Sequence, residues 1–343
     1  MKPLRIARGQ PVAAGLVLAQ DVRDAAGRAA LEKGKVLGAA DVAALEGFAW
    51  TELHVLAMEA GDVHEQEAGR RLAAAVAGEG VEAQPISSGA FPLVARWRGL
   101  VDLDDARLSQ VNELPDLVVY THPQDYVALE GELLGRAKIV PFVTRDEHVR
   151  SAERIAAGGI LRVRRFTGAR AAVLVQESIA ESALSRARAA FVEKLAFFGS
   201  ELVLLERVAS AAGPLAAALG EAVSRGARLI VVAGSKPMDP LDPALQALAL
   251  AGARLEAHGV PAHPGTLLWL AWLHDAAVVG APSCGLFSKA TALDLVLPRL
   301  LCGERVSRAW LARLGAGGLL TRDMAFRFPP YRPLAGRGVL DPE

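Results

Sequence analysis

The chain has 343 residues and a mass of 36.0 kDa, enough for two domains of ordinary size, and 52% hydrophobic against 22% charged residues places it among globular proteins. Lys+Arg and Asp+Glu are both 38, so no net field draws the chain to nucleic acid or to an anionic membrane. The most apolar stretch, residues 266–273, meets His274 and Asp275 long before the roughly 20 residues a membrane span requires.

An apolar run near the N-terminus is broken by Gly15 and leads into Asp21, so neither a leader peptide nor a membrane anchor is expected. Cys284 and Cys302 form neither a CxxC pair nor a disulfide framework. A cytoplasmic location is the expectation, since unpaired thiols suit a reducing compartment.

Residues 1–165 mix short strands with helices near 41–48 and 64–76, and are expected to form an α+β domain. Residues 139–143 (IVPFV) are predicted as an edge strand, because Pro141 cannot donate to a central ladder. The basic strip 161–165 (LRVRR) marks the boundary to a second domain, 166–343.

Beyond it, short apolar runs alternate with amphipathic segments, the pattern of an α/β, doubly wound, mostly parallel sheet. Residues 171–175 are the first strand; Leu184, Ala187, Phe191, Leu195 and Phe198 then define one helix face that Gly199 stops. Residues 202–205 are the second strand, followed by a helix between Pro214 and Gly226. The third strand, 229–232, runs into a loop rich in Gly, Pro and Asp, and a helix is expected over 243–250. A further strand, 276–279, ends at Gly280, and a helical stripe at Leu293, Val296, Leu297, Leu300 and Leu301 follows, with Pro298 expected to kink it.

Ligands of such sheets bind beyond the carboxyl ends of the strands, where loops enter helix N-termini. In the loop after the third strand, Gly234 permits close backbone approach, Ser235 offers a hydroxyl, and Asp239 and Asp242 are spaced so that they could share Mg²⁺ with a phosphate. For both aspartates the alternative is helix capping alone, Asp242 being an ordinary N-cap ahead of Pro243. In the loop 282–289, Ser288 is expected to cap a helix whose first turn holds Lys289, a cation that an anionic ligand would explain, the alternative being a solvated surface lysine. Cys284 is either reactive or a small buried hydrophobe. The histidines form no ligand set, and neither GxGxxG nor a Walker motif is present. Trp269 and Trp272 are read as core or interface.

At these loops the sequence resembles the molybdopterin-binding domain of the molybdopterin molybdenumtransferase and adenylyltransferase family. The likeness is carried by Gly234, Ser235, Asp239 and Asp242, by the G-x-P-x-x-P-G stretch Gly259, Pro261, Pro264 and Gly265, by Gly280, Pro282, Cys284 and Lys289, and by the closing segment 314–320. Weaker likenesses in the N-terminal half are residues 31–34 (LEKG) with Asp41, 61–63 (GDV) and 138–142 (KIVPF). The M-D-G-Y-A segment of the metal-inserting transferases is missing, and Ser283 stands where a glycine is expected.

The resemblance implies that a molybdopterin-type domain with an N-terminal lid binds molybdopterin or molybdenum cofactor, in cofactor biosynthesis or delivery. Pro282, Ser283, Cys284, Ser288 and Lys289 would join Gly234 and Ser235 in holding the pterin phosphate. The alternatives are a Mg-dependent molybdenumtransferase using Asp239 and Asp242 and, third, a nicotinamide mononucleotide amidase-like protein. Expected partners are the small-molecule pterin phosphate, other molybdenum cofactor biosynthesis proteins or a molybdoenzyme, and a second copy in a homodimer.

Overall fold

A computed structural model describes residues 1–85, 90–176, 179–235 and 237–331, with the side chains of Ser283, Cys284 and Arg322 left aside. The fold is mixed α/β, and the chain divides into two compact units. One comprises residues 1–97, 101–124 and 128–163; the other comprises 164–343 together with 98–100 and 125–127. Among the described residues no helix is long and apolar enough to cross a membrane.

In the N-terminal unit, Glu52–Ala57 pairs antiparallel with Lys2–Ala7 and with Val17–Leu18, and Leu18, Leu53 and Val55 fill a small core beneath them. A second sheet has the order Leu117–Thr121, Leu133–Ile139, Ala90–Ala95, Val81–Ala83. The helix Glu65–Val76 lies on it with Ala68, Leu72 and Val76 buried. Gly69 of this helix allows the approach, since a Cβ there would stand 2.5 Å from the Phe91 ring.

The predicted edge strand 139–143 does not form. Ile139 instead ends a strand central to its sheet, and Pro141 lies in the bend before Val143–Arg145. Lacking an N–H, Pro141 marks where the ladder must stop rather than where an edge runs. The helix expected over 41–48 is shorter, Ala39–Ala44, and tightens into a 3₁₀ turn, Leu45–Gly47.

The C-terminal unit runs β1 (Arg170–Val175), α1 (Glu181–Phe197), β2 (Glu201–Arg207), α2 (Ala212–Ser224), β3 (Leu229–Ala233), α3 (Pro243–Leu250), β4 (Arg254–His258), β5 (Trp269–Leu273), β6 (Ala276–Ala281) and α4 (Ala292–Leu301). Its six strands lie in the order β2-β1-β3-β6-β5-β4. The first four are mutually parallel; β5 and β4 extend the sheet antiparallel.

Because side chains alternate along a strand, both sheet faces are apolar and both are covered. Ala171, Val173 and Val175 pack with Phe191 and Leu195 of α1 and Val296 of α4. Ala172 and Leu174 pack with Leu215 and Leu219 of α2 and Ala247 of α3. Trp269 and Trp272, three apart on a strand, point to opposite faces and enter different cores. Pro298 sits inside α4 without ending it.

Candidate functional site

Strands β3 and β6 lie side by side and parallel, with Ala233 opposite Ala281. The Gly234 N–H donates to the Ala281 carbonyl at 3.2 Å, so the loops 234–242 and 282–291 leave the sheet from one carboxyl edge. On the other side of β3, Val175 of β1 stands opposite Ala233, and the Gln176 N–H donates to the Ala233 carbonyl at 2.9 Å.

The first loop turns at Gly234, whose φ of +88° suits glycine. Ser235 is buried; its hydroxyl donates to Asp242 Oδ2 at 3.3 Å and accepts the Trp269 indole N–H at 3.0 Å. Asp242, 3% exposed, accepts the Ala244 N–H at 2.7 Å through Oδ1 and caps α3, with Pro243 opening the helix. The cap foreseen for Asp242 is present, and both its oxygens accept bonds inside the protein. Gly280 leaves room for the indole, because a Cβ there would fall 1.8 Å from Trp269 Cε2. Asp239 is exposed and spends Oδ1 on the Leu241 N–H at 2.9 Å. The two aspartates therefore differ: one is a buried cap and the other presents a carboxylate to solvent. Among the described residues, no group of three or more His, Cys, Asp or Glu is arranged to hold a metal.

The second loop passes through a 3₁₀ turn, Ser283–Leu286, closed by the Gly285 N–H on the Pro282 carbonyl at 2.8 Å. The proposed roles of the Ser283 and Cys284 side chains lie outside the described residues. Ser288 does not cap the following helix. Its Oγ accepts the Ala290 N–H at 3.3 Å, and the helix starts after Thr291. Asp294 decides this start: its Oδ2 accepts both the Thr291 N–H and the Thr291 hydroxyl at 3.0 Å, a reciprocal box that Ser288 cannot form because it has no acidic residue three positions on. Lys289 consequently lies before the helix rather than in its first turn, and its ammonium donates to Glu193 Oε2 of α1 at 2.6 Å.

Sequence reasoning missed the group that fixes this loop from below. Lys194 Nζ donates to Asp294 Oδ1 at 2.6 Å and the Tyr331 hydroxyl donates to the same oxygen at 2.9 Å; Lys194 and Asp294 are both fully buried. Burial, with the Asp294 charge beside it, pushes the Tyr331 phenol well above its ordinary range. A signal was available in the spacing, because Lys194 falls three residues after Phe191 on the apolar stripe of α1.

Other stretches that carry the resemblance meet here too. The Ala292 N–H donates to the Pro264 carbonyl at 2.9 Å, and Gly265 packs so closely that a Cβ would stand 2.7 Å from Ala292 Cβ. His263 exchanges backbone bonds with the closing segment, its N–H to Gly318 at 2.8 Å and its carbonyl from Leu320 at 2.9 Å. Gly265, Leu268, Pro282, Gly285 and Thr291 line a small crevice between these stretches. At the far end of α4, burial pushes the Cys302 thiol up to about 12, which makes it a poor nucleophile.

Within the N-terminal unit the weaker likenesses also converge. His64 Nε2 lies 2.7 Å from the Gly34 carbonyl, and the Glu65 N–H donates to the Phe142 carbonyl at 2.9 Å. Burial raises the Glu65 carboxyl above its usual range, against the opposing pull of His64, Lys138 and Lys33.

No family model matches the chain, and no curated protein matches it. Among solved structures, a candidate molybdenum cofactor biosynthesis protein from Corynebacterium diphtheriae aligns at 18% identity and a TM-score of 0.27, covering 40% of this chain and 98% of its own. A molybdopterin biosynthesis MoeA protein from Pyrococcus horikosii aligns at 12% identity and a TM-score of 0.31, covering 70% of this chain and 74% of its own. At TM-scores of this size the alignments carry no argument about activity.

Proposed function

We propose that the chain binds molybdopterin, or the molybdenum cofactor made from it, as a phosphorylated pterin at the carboxyl edge of the C-terminal sheet, in the biosynthesis or delivery of that cofactor. The observation that carries this reading is the pairing of β3 with β6, Ala233 opposite Ala281. It starts the two loops with the strongest family likeness, 234–242 and 282–291, at one edge, where strand exits and helix N-termini bind phosphorylated ligands in parallel sheets. In this reading Gly234 lets the ligand approach the backbone, while Pro282, Ser283, Cys284, Ser288 and Lys289 lie on the opposite loop. Ser235 acts from behind, holding the loop through Asp242 and Trp269.

Binding is favoured over molybdenum insertion because Asp242 is already committed to its cap and to Ser235. A Mg²⁺ bridging to the ligand phosphate would draw on the one exposed carboxylate, Asp239, with water completing its shell. The test is to purify the chain from cells competent in cofactor synthesis and from cells blocked in it, then measure oxidised pterin fluorescence. Pterin in near-stoichiometric amount from the competent cells alone is the expected result. Its absence from both preparations, with no binding of pterin phosphate added in vitro, sinks the reading.

A further inference from the structure

We infer that Gln176 is a ligand-reading residue, whose side-chain amide pairs with the lactam edge of a pyrimidinone ring, the adjacent N–H and C=O found in pterins and guanine. The inference rests on the binding reading above and adds a specificity determinant to it.

Gln176 follows β1 directly and is 9% exposed. On one side its N–H bonds the Ala233 carbonyl, which sets it beside Gly234. On the other, the Val208 N–H bonds the Val175 carbonyl at 2.9 Å, and the chain continues through 208–211 into α2. Gln176 thus stands between two strand exits. The alternation that turns Ala172 and Leu174 toward α2 and α3 continues to residue 176, the side on which Trp269 is also buried.

The side-chain Oε1 of Gln176 is buried and, among the described residues, accepts no hydrogen bond. A buried acceptor without a donor opposes folding, and an apolar residue would fill this position as Leu174 fills the one before it. A polar group kept there at the expense of stability is explained by a ligand that completes it. The chemistry of the amide selects the class. It presents an acceptor and a donor in one plane, the complement of a cis N–H and C=O pair; a phosphate or carboxylate would engage only its NH₂ and leave Oε1 unmet.

The test uses the full chain, with Gln176→Leu and, closer in shape, Gln176→Met. Titration calorimetry is run with 6-hydroxymethylpterin phosphate, guanosine monophosphate, adenosine monophosphate and inorganic phosphate, alongside thermal melts. The wild type is expected to prefer the two lactam compounds over adenosine monophosphate. Both variants should lose about tenfold or more in affinity for them, keep the binding of inorganic phosphate, and melt at the same or a higher temperature. Affinity for the lactam compounds within threefold of wild type in both variants overturns the inference, whether or not the melts move, and makes Gln176 a structural residue with a buried water. Gln176-dependent binding of guanosine monophosphate without pterin phosphate upholds the lactam role while removing the pterin reading. A wild type that binds neither lactam compound removes both.

Discussion

The two loops at the carboxyl edge are held in place by opposite means. The loop 234–242 is fixed largely by its own residues, Asp242 capping the helix it starts and bonding Ser235 seven positions back, with distant contacts from the Trp269 indole to Ser235 and from the His258 ring, 2.7 Å from the Pro237 carbonyl. The loop 282–291 is fixed from afar: Lys289 bonds Glu193, and Asp294 just beyond it is met by Lys194 and Tyr331. One is a turn that writes its own geometry; the other takes its position from α1 and from residues past α4. The first should therefore fail locally and the second together with the packing around it.

The largest effect is expected where the distant anchor is broken. Asp294→Ala leaves the fully buried Lys194 ammonium without its counterion and removes the capping box at Thr291. Removing one partner of a buried pair costs about 3–5 kcal/mol, which denaturant unfolding will register. Adding Lys194→Met should recover part of the loss, because no charge then remains buried. A single Asp294→Ala variant within about 1 kcal/mol of wild type would show that water reaches this cluster.

Next is Gly280→Ala, which tests the Trp269 contact of the first loop. The added methyl occupies the position of the Trp269 indole, so the ring must move and release Ser235. Overpacking of this kind costs about 1–3 kcal/mol. Trp269 fluorescence should shift to longer wavelength as water reaches the ring, measured in a background with Trp50, Trp97, Trp272 and Trp310 replaced by Phe. An unshifted spectrum would mean that the loop does not depend on this contact.

The same division explains what was legible in the sequence. The helix Pro243–Leu250 begins where expected because its two start signals, the cap Asp242 and Pro243 after it, lie next to each other in the chain. The strands at 171–175, 202–205, 229–232 and 276–279 were visible as short apolar runs, and each lies within an observed strand. The strand Trp269–Leu273 was not assigned. It is buried on both faces, so it has no polar alternation to distinguish it from any other apolar run. Ser288 satisfies the local rule for a helix cap, a serine ahead of an apolar stripe; Thr291 with Asp294 satisfies it better. Lys194 does not stand out because a lysine on an apolar stripe is ordinarily a solvated exception, and its partner Asp294 lies 100 residues further along the chain. Both candidate loops are legible in the sequence as loops that follow strands, but which of their polar atoms are already engaged is not, since that depends on the tertiary neighbours.

A smaller effect belongs to Asp242. Asp242→Ala removes the cap of α3 and the acceptor of the Ser235 hydroxyl, for about 1–2 kcal/mol; Asp242→Asn should restore most of it, because asparagine caps nearly as well. A loss as large for Asn as for Ala would show that the negative charge, not the cap, is what the loop requires. Asp239→Asn should leave stability within about 0.5 kcal/mol, since its carboxylate faces solvent.

The smallest stability effect and the most informative binding effect are expected at Lys289. Its pair with Glu193 is about one-third exposed on both sides, so solvent screening limits it to about 0–1 kcal/mol, and Lys289→Ala should hardly move the melting temperature. The pair matters as a competitor instead. If Lys289 serves the ligand phosphate, it must leave Glu193 to do so, and affinity is lowered by the pairing energy it gives up. Glu193→Gln weakens that hold without removing the lysine, so pterin phosphate should bind up to about fivefold more tightly in this variant, a gain bounded by the same 1 kcal/mol. Lys289→Ala should weaken binding, and the double variant should match Lys289→Ala alone, because Glu193 then has nothing to release. Equal affinities in wild type and all three variants would leave Lys289 a strut between the second loop and α1, and would place the phosphate on backbone N–H groups alone.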